Sequence, residues 1–293
     1  MLCNINLQIK NDDVFLVGGF VRDSVLSEIF NVKNESKDID IILPIKPDFT
    51  NTIKAFYNSN SNGSKILGYS IDKSKVEYIY TVKTNVVPSN AIAFGSIPQS
   101  GADISGAGDD SVMMWVLDED NNGLYELYLG QKGGVVANAN SSYLFCYFTG
   151  IKGYDLSNLY TDKVTNMDNM FSFGNSGPRA FKNCTFDTLD LSHFNTSNVT
   201  NMSKMFYGLD CVPSLNVSNF DTSKVKNMSS MFSGVYNVKE LNLDNFNTSK
   251  VENFDSMFKY NSLTNINLPS FTGESAKKID FMFSDCRNMV TLS

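Results

Sequence analysis

The sequence predicts an α+β protein built from three parts: a small α/β domain over residues 1–88, a β-hairpin cap over 89–150, and a solenoid of parallel short strands and one-turn helices over 151–293. Three observations support this prediction. A Met-Phe pair recurs at a nearly fixed step in the C-terminal half. Two apolar runs in the middle are separated by a turn signal. A Gly-Gly pair near the start precedes a helical pattern and an acidic pair.

The Met-Phe pair marks a module that is copied about five times. Its methionine falls at Met170, Met205, Met231, Met257 and Met282, which gives steps of 35, 26, 26 and 25 residues. A step in the twenties with apolar residues in register is typical of a solenoid, because each unit buries its apolar face only against its neighbours. The longer first step contains GNSGPRAFKN, which predicts an outer loop because it is rich in glycine, proline and asparagine.

Each unit begins with an apolar-x-apolar alternation, which predicts a short, half-buried strand that stacks in parallel on the next. These pairs are Leu189 and Leu191, Leu215 and Val217, Leu241 and Leu243, and Ile266 and Leu268. A phenylalanine follows each pair and predicts a column along the core. Its members are Phe194, Phe220, Phe246 and Phe271, with Leu159 in the first unit.

The second half of each unit predicts a one-turn helix. The Val-x-x-Met-x-x-Met-Phe spacing, as at Val199, Met202, Met205 and Phe206, places the apolar groups on one side of such a turn. Hydroxyl residues before it are expected to cap the helix start. These are Thr196, Thr222 and Thr248 with Ser197, Ser223 and Ser249. Recurring asparagines are expected to face inward and satisfy backbone groups; they are Asn201, Asn227 and Asn253.

Some of these residues also allow more specific interpretations. A methionine column is compatible with soft-metal ligation, but its regular spacing beside phenylalanine and valine favours core packing. Asn201 and Asn227 match the N-glycosylation pattern, although inward-facing asparagines are inaccessible. His193, the single histidine, replaces the asparagine of its sibling units, so we interpret it as an exposed repeat variant.

The sequence of these units, such as LSHFNTSNVTNMSKMF from Leu191, resembles the BspA-like leucine-rich repeat family and the closely related repeat domain common in mycoplasma lipoproteins. The resemblance extends over roughly residues 91–293 and implies a leucine-rich-repeat-like solenoid. The stretch before the first unit resembles the cap of that family. Its runs SVMMWVL and LYELYL are separated by Asp-Glu-Asp-Asn-Asn-Gly, which predicts a hairpin closing one end of the solenoid.

A solenoid presents a long surface on which variable side chains can recognise a protein or a glycan. The residues predicted to contact such a partner are Lys204, Tyr207, Lys226, Tyr236, Lys239, Lys259 and Tyr260. No cap follows the last unit, whose wording ends in MVTLS where a further strand is expected to begin. This observation predicts fraying or self-association at that end, whether it is a natural terminus or a fragment boundary.

The first residues carry a different pattern. A strand is predicted to run into Gly18 and Gly19, a helix follows, and a second strand carries Asp38 and Asp40 on one face. Backbone amides at a helix start attract phosphate, and paired carboxylates hold divalent metal. The set therefore has the ingredients of a Mg²⁺-dependent nucleotidyl transfer site, in which Asp38 and Asp40 hold metal and Arg22 pairs with phosphate.

This stretch resembles the head of the tRNA nucleotidyltransferase and poly(A) polymerase family, whose pattern is LVGGxVRDxLLGxxxxDIDI. The resemblance implies metal binding by Asp38 and Asp40 and contact of Gly18 and Gly19 with a nucleoside triphosphate. The family's Arg-Arg-Asp segment and base-selecting helical neck are missing, so at most a minimal catalytic core is predicted. Glu77 is a candidate third carboxylate, although an exposed strand glutamate is the preferred interpretation. Catalysis and a degenerate fold both stay open.

Composition limits the partners and the location. The net charge is −7 and falls on the residues beyond Pro88, which argues against an RNA partner for the solenoid. The five cysteines show neither zinc spacing nor a disulfide framework and predict buried thiols. No secretory signal or apolar run long enough to span a membrane is visible. The location stays open between the cell surface, which the repeat resemblance implies, and the product of a phage or virus.

Overall fold

The computed structural model describes residues 72–96, 112–173, 189–210, 212–268 and 271–292. Regular structure within these ranges consists of ten short β strands and one 3-10 helix, Lys73–Lys75. Many of the other described residues lie in turns. The predicted residues Gly18, Gly19, Arg22, Asp38 and Asp40 lie outside the described ranges.

A five-stranded sheet forms the first described part of the chain. Its strands are β1 (Val76–Val82), β2 (Ala93–Ser96), β3 (Val112–Leu117), β4 (Tyr125–Gln131) and β6 (Gly153–Asp155), in the order β2-β3-β4-β1-β6. The predicted hairpin is confirmed, because β3 and β4 pair antiparallel. Strand β1, which lies within residues 1–88, pairs in parallel with both β4 and β6. We call this sheet the cap sheet.

The repeats pair with one another in parallel. Leu189 bridges to Leu215, and β8 (Glu240–Leu241), β9 (Asn265–Ile266) and β10 (Thr291–Leu292) form a three-stranded parallel sheet. This parallel pairing of the apolar-x-apolar positions follows the sequence prediction. A second set of parallel bridges runs along one column of the units. Its members are Asn140, Asn166, Asn201, Asn227, Asn253 and Lys278.

The stack begins one unit earlier than the sequence analysis placed it. Asn140 bridges to Asn166, and β5 (Val135–Val136) pairs in parallel with β7 (Leu159–Tyr160). Leu144 and Phe145 then occupy the positions of the Met-Phe pair, because the Phe145 amide donates to the Met170 carbonyl as the Phe171 amide donates to the Met205 carbonyl. The pattern was missed because leucine replaces the methionine.

Phenylalanines of the Met-Phe pairs stack in single file through the core. Successive ring centroids are 5.4 to 6.0 Å apart, with interplanar angles of at most 21°. The column consists of Phe145, Phe171, Phe206, Phe232, Phe258 and Phe283. The second set of phenylalanines leans on this column, as Phe246 does on Phe232 at 6.3 Å and 39°. The core interpretation of the methionines is confirmed, since Met170, Met205, Met231 and Met257 are at most 1% exposed.

The segment after each asparagine forms consecutive turns where one-turn helices were predicted. Amides alternate between two acceptors: Lys204 and Phe206 donate to carbonyls of the following unit, whereas Met205 and Tyr207 donate three residues back within their own unit. A helix would direct every amide back along its own segment. The alternation places residues in the left-handed region at two positions of the unit, four residues apart. The second position is occupied by Tyr147, Gly208, Gly234, Tyr260 and Asp285, with φ between 57° and 76°. At the first position φ lies between 52° and 62°. These residues are Tyr143, Asn169, Lys204, Ser230, Ser256 and Phe281.

The threonines predicted to cap helices instead join neighbouring units. The Thr196 hydroxyl donates to the Asp221 carbonyl at 3.1 Å and accepts the Asp221 amide at 2.8 Å. Thr222 donates to the next unit in the same way, and both threonines are at most 2% exposed. The asparagines accept the amide two residues ahead, as the Asn201 Oδ1 accepts from Ser203 at 3.0 Å. They are half-buried rather than inward-facing.

Lys73 closes one column of the stack at the cap end. In inner units the Ser233 carbonyl accepts the Gly208 amide at 2.9 Å. Among the described residues, no preceding repeat unit lies beside the equivalent Cys146 carbonyl. The Lys73 ammonium donates to that carbonyl at 3.1 Å and lies 4.8 Å from the Phe148 ring centroid. Lys73 is 8% exposed, and this burial lowers its pKa to about 8.

Candidate binding surface

The outward side chains of the turns differ from unit to unit, whereas the inward ones are nearly uniform. In one unit Lys204 lies 6.0 Å from the ring centroid of Tyr207. Two units further, the Lys259 ammonium lies 4.9 Å from the centroid of Tyr260. Both pairs are half-buried or exposed, so they present cationic and aromatic groups to solvent on the same edge of the stack.

Small residues occupy the unit between these two Lys-Tyr pairs. Ser230 and Ser233 are 9% and 2% exposed, and Gly234 adopts a φ of 76°. A Cβ added at Gly234 would lie 3.4 Å from the Gly208 Cα, so the chain passes close there. Units in a parallel ladder are about 4.8 Å apart, and the two pairs are therefore about 10 Å apart. We call this surface, formed by the two Lys-Tyr pairs and the small residues between them, the turn face.

The turn face contains most of the predicted partner-binding residues but not all of them. Tyr236 lies beside it, because its ring is 3.9 Å from a Cβ added at Gly234. Lys226 is exposed on a different column, where its carbonyl accepts the Glu252 amide at 2.8 Å. Lys239 is exposed next to β8, and its carbonyl accepts from Thr264. The predicted set is therefore spread over three parts of the unit.

Glu77, the candidate third carboxylate, is buried and already paired. It is 3% exposed and forms an ion pair with Lys152, so the interpretation of an exposed strand glutamate is wrong. The ion pair raises the pKa of Lys152, chiefly through the hydrogen bond to Glu77. Lys152 therefore neutralises the charge of this carboxylate. The metal roles of Asp38 and Asp40 stay predictions of the sequence motif.

Other residues that the sequence analysis weighed have structural roles. His193 is exposed, and its ring meets Phe194 edge to face at 5.1 Å. The equivalent Asn219 donates to carbonyls of the preceding unit, among them that of Leu191 at 3.0 Å. Cys146 is buried, which raises the pKa of its thiol to about 12, whereas Cys286 is half-buried. Within the described ranges, no group of three or more histidine, cysteine or acidic residues is placed to hold a metal ion.

The last described unit presents apolar side chains to solvent. Ile279, Phe281 and Val290 are 60%, 65% and 80% exposed, and Ile279 and Phe281 line an open groove of about 800 Å³. Self-association through this region stays a prediction. No helix in the described part of the chain has the length and apolar character needed to cross a membrane.

The sequence analysis missed a row of aromatic residues on the cap sheet. Trp115, Tyr128 and Tyr80 are cross-strand neighbours, and Tyr78 lies beside Tyr80. The available signal was the Tyr-x-Tyr alternation of β1, which places both tyrosines on one face of a strand.

Comparison with known proteins identifies the repeats. The model of a family described as "Mycoplasma protein of unknown function, DUF285" matches residues 139–207 and 175–291. Together these matches run from 139 to 291, just over half of the 293 residues. They begin beside Asn140, and thus include the additional first unit. No curated protein and no solved structure matches the chain.

Proposed function

Because this chain belongs to the DUF285 family of mycoplasma proteins, we propose that it is a surface-type repeat protein whose turn face binds an extended protein segment or glycan chain. The observation that carries this proposal is the placement of two Lys-Tyr pairs on either side of a unit of small residues. Lysines supply charge for acidic groups, and tyrosine rings supply flat contact area with a polar tip. The ligand is therefore expected to carry carboxylate or sulfate groups beside apolar or sugar surfaces.

The separation of interior and exterior supports this proposal. Buried columns of methionine, phenylalanine and threonine hold the units in register, so outward residues can change without disturbing the stack. Lys204 and Tyr207 in one unit correspond to Ser230 and Ser233 in the next. Such variation at equivalent positions of neighbouring units is compatible with recognition of a specific partner.

The test uses the full chain to select ligands from a random peptide library and from a glycan array. The best ligand is then titrated against Lys204→Ala/Tyr207→Ala and Lys259→Ala/Tyr260→Asn. Each double variant is expected to weaken binding at least about tenfold. Lys226→Ala/Lys239→Ala is the matched control, because it removes two exposed lysines outside the turn face. Equal binding by all variants, or no ligand from either source, would overturn the proposal.

A separate assay addresses the nucleotidyl transfer predicted from the Gly18-Gly19 and Asp38-Asp40 motif. The full chain is incubated with Mg²⁺ or Mn²⁺, labelled ATP or CTP and candidate acceptors, beside Asp38→Ala/Asp40→Ala. Metal-dependent transfer that the double variant loses would establish the enzymatic function. The absence of transfer by the native chain would leave ligand binding by the repeats as the proposed function.

A further inference from the structure

A second surface lies on the cap sheet, on the face turned away from the repeats. The inner face packs on the first units, because Tyr154 of β6 contacts Phe145 and Phe171 at 5.6 and 5.7 Å. Ile79 is the register partner of Tyr154 and is fully buried. Successive strand residues point to opposite faces, so Tyr78 and Tyr80 belong to the outer face.

Aromatic rings form a continuous row on this outer face. Trp115 and Tyr128 stack with centroids 5.5 Å apart and an interplanar angle of 1°. Tyr128 and Tyr80 follow at 4.9 Å, and Tyr80 and Tyr78 at 6.1 Å. The row crosses β3, β4 and β1, and it includes both buried and accessible rings: Trp115 is 4% exposed, whereas the three tyrosines are half-buried. We call Trp115, Tyr128, Tyr80 and Tyr78 the aromatic row.

Carboxylates stand on both sides of the accessible tyrosines. On one side, the Tyr128 hydroxyl donates to the exposed Glu119 at 3.0 Å. On the other side, exposed Asp155 is the register partner of Tyr80. Glu126, the register partner of Tyr78, is buried and accepts the Glu119 amide at 3.2 Å.

The charges of this face are predominantly negative. Burial raises the pKa of Tyr80, and the neighbouring carboxylates Glu126, Glu119 and Asp155 raise it further. Burial likewise raises the pKa of Glu126. The nearby cation Lys152 is already paired with Glu77. A metal ion is a poor fit, because these carboxylates do not form a metal-binding group within the described ranges.

We propose that the aromatic row, with Glu119 and Asp155, is a docking surface for an arginine-rich segment of a protein partner. A guanidinium group is planar, so it can stack on a tyrosine ring while its edge donates two hydrogen bonds to a carboxylate. Arginine is less strongly hydrated than lysine and loses less on leaving water. The rings of Tyr128 on β4 and Tyr80 on β1 lie between Glu119 and Asp155, an arrangement that matches a segment lying across the strands. This surface is separate from the turn face.

The experiment measures the affinity of a fluorescent oligo-arginine peptide for the full chain by anisotropy, with an oligo-lysine peptide of equal length beside it. Glu119→Gln/Asp155→Asn keeps the shape of both side chains and is expected to weaken oligo-arginine binding at least about tenfold. Tyr80→Leu is expected to weaken oligo-arginine more than oligo-lysine, because it removes a stacking surface. Glu240→Gln/Glu274→Gln removes the same charge from the repeats and is the matched control.

The outcomes separate specific docking from general attraction to an acidic chain. Unequal effects of the two double variants, with unchanged melting temperatures, support the proposal. Equal effects would overturn it, since binding would then depend on net charge alone. Equal affinity for oligo-arginine and oligo-lysine would overturn the assignment of arginine. Binding of tetramethylammonium at the aromatic row in preference to oligo-arginine would also overturn it, because the surface would then be a site for a small cation.

Discussion

The cap sheet and the repeat stack both use a buried threonine hydroxyl to join neighbouring segments, but they differ in side-chain chemistry. Thr81 of the cap sheet donates to the Asp155 carbonyl at 3.2 Å and accepts the Asn158 amide at 3.1 Å. Between repeat units, Thr196 also donates one bond and accepts one, and both are formed with Asp221. The aromatic contacts of the sheet, by contrast, occur once each, whereas the phenylalanine contacts of the stack recur in every unit. The sheet thus continues the stack through its backbone while its outer side chains are unique.

The largest difference in stability between the two regions should come from truncating a ring of the phenylalanine column in the repeat stack. Phe232→Ala removes a ring that is fully buried between Phe206 and Phe258, and we expect it to lower the free energy of unfolding by about 3–5 kcal/mol. Tyr80→Ala in the half-buried aromatic row should cost less, because part of its ring already contacts water. Urea denaturation of both variants measures the difference. Equal losses would contradict the view that the stack depends more strongly on its column.

The second prediction concerns Lys73, which occupies the place of a repeat amide. Burial lowers its pKa from the ordinary lysine value of about 10.5 to about 8. Between these pH values the unfolded chain holds a proton that the folded chain does not, so this group's contribution to stability rises with pH. The native chain should gain up to about 3 kcal/mol relative to Lys73→Met over this window. Chemical denaturation at several pH values measures the difference, and parallel pH profiles would contradict the prediction.

Replacing a threonine that joins neighbouring units should lower the free energy of unfolding by an intermediate amount. Thr222→Val keeps the shape but removes the hydroxyl that donates to the Asn247 carbonyl at 3.0 Å. Loss of a partner for a buried carbonyl costs about 1–3 kcal/mol. Thr81→Val should cost a similar amount, because its buried hydroxyl also donates to one backbone carbonyl and accepts one backbone amide. Thr165→Val is the control, since its hydroxyl is exposed. Thermal and urea unfolding compare the stabilities of the three variants. A loss of stability in Thr222→Val alone would show that the threonine of the cap sheet contributes less than that of the repeats.

The smallest effect should be a gain in stability when His193 is replaced by asparagine. In the neighbouring unit the Asn219 amide donates to the Leu191 carbonyl at 3.0 Å, and His193 occupies the same position one unit earlier. His193→Asn is expected to add this inter-unit hydrogen bond and raise the free energy of unfolding by about 0.5–1.5 kcal/mol. Asn219→His is the reciprocal variant and should lower it. A loss of stability on His193→Asn would show that the contact of the His193 ring with Phe194 stabilises the fold more than the added hydrogen bond does.

The sequence predicted the buried columns well because each buried position recurs. Met205, Met231 and Met257 recur at one step with phenylalanine beside them, so a single alignment assigns their burial. The turn geometry was not predictable in this way. A spacing of three and four residues describes a helix and the observed alternation of left- and right-handed turns equally well. The role of Thr222 was missed because its partner lies in another unit, far from it in sequence.

The candidate sites were predicted only in part. The sequence identified four residues of the turn face as variable: Lys204, Tyr207, Lys259 and Tyr260. The small residues between them were recognised only when the hydrogen bonds between units aligned the units in space. Lys226 and Lys239 belong to other columns, which their residue type could not reveal. The aromatic row depends on the pairing of β1 with β4, a contact between strands that are more than forty residues apart in the sequence. Asp38 and Asp40 lie outside the described residues.

The repeated threonine junction has a consequence for how such a chain can change in length. Since every inner unit offers its neighbour the same acceptors and donors, duplication or loss of a whole unit leaves matched bonds on both sides of the change. Gene-level gains or losses of one module would therefore move Lys204 and Lys259 apart or together in increments of about 4.8 Å. The distance between the contact points can therefore change during evolution only in steps of one whole repeat.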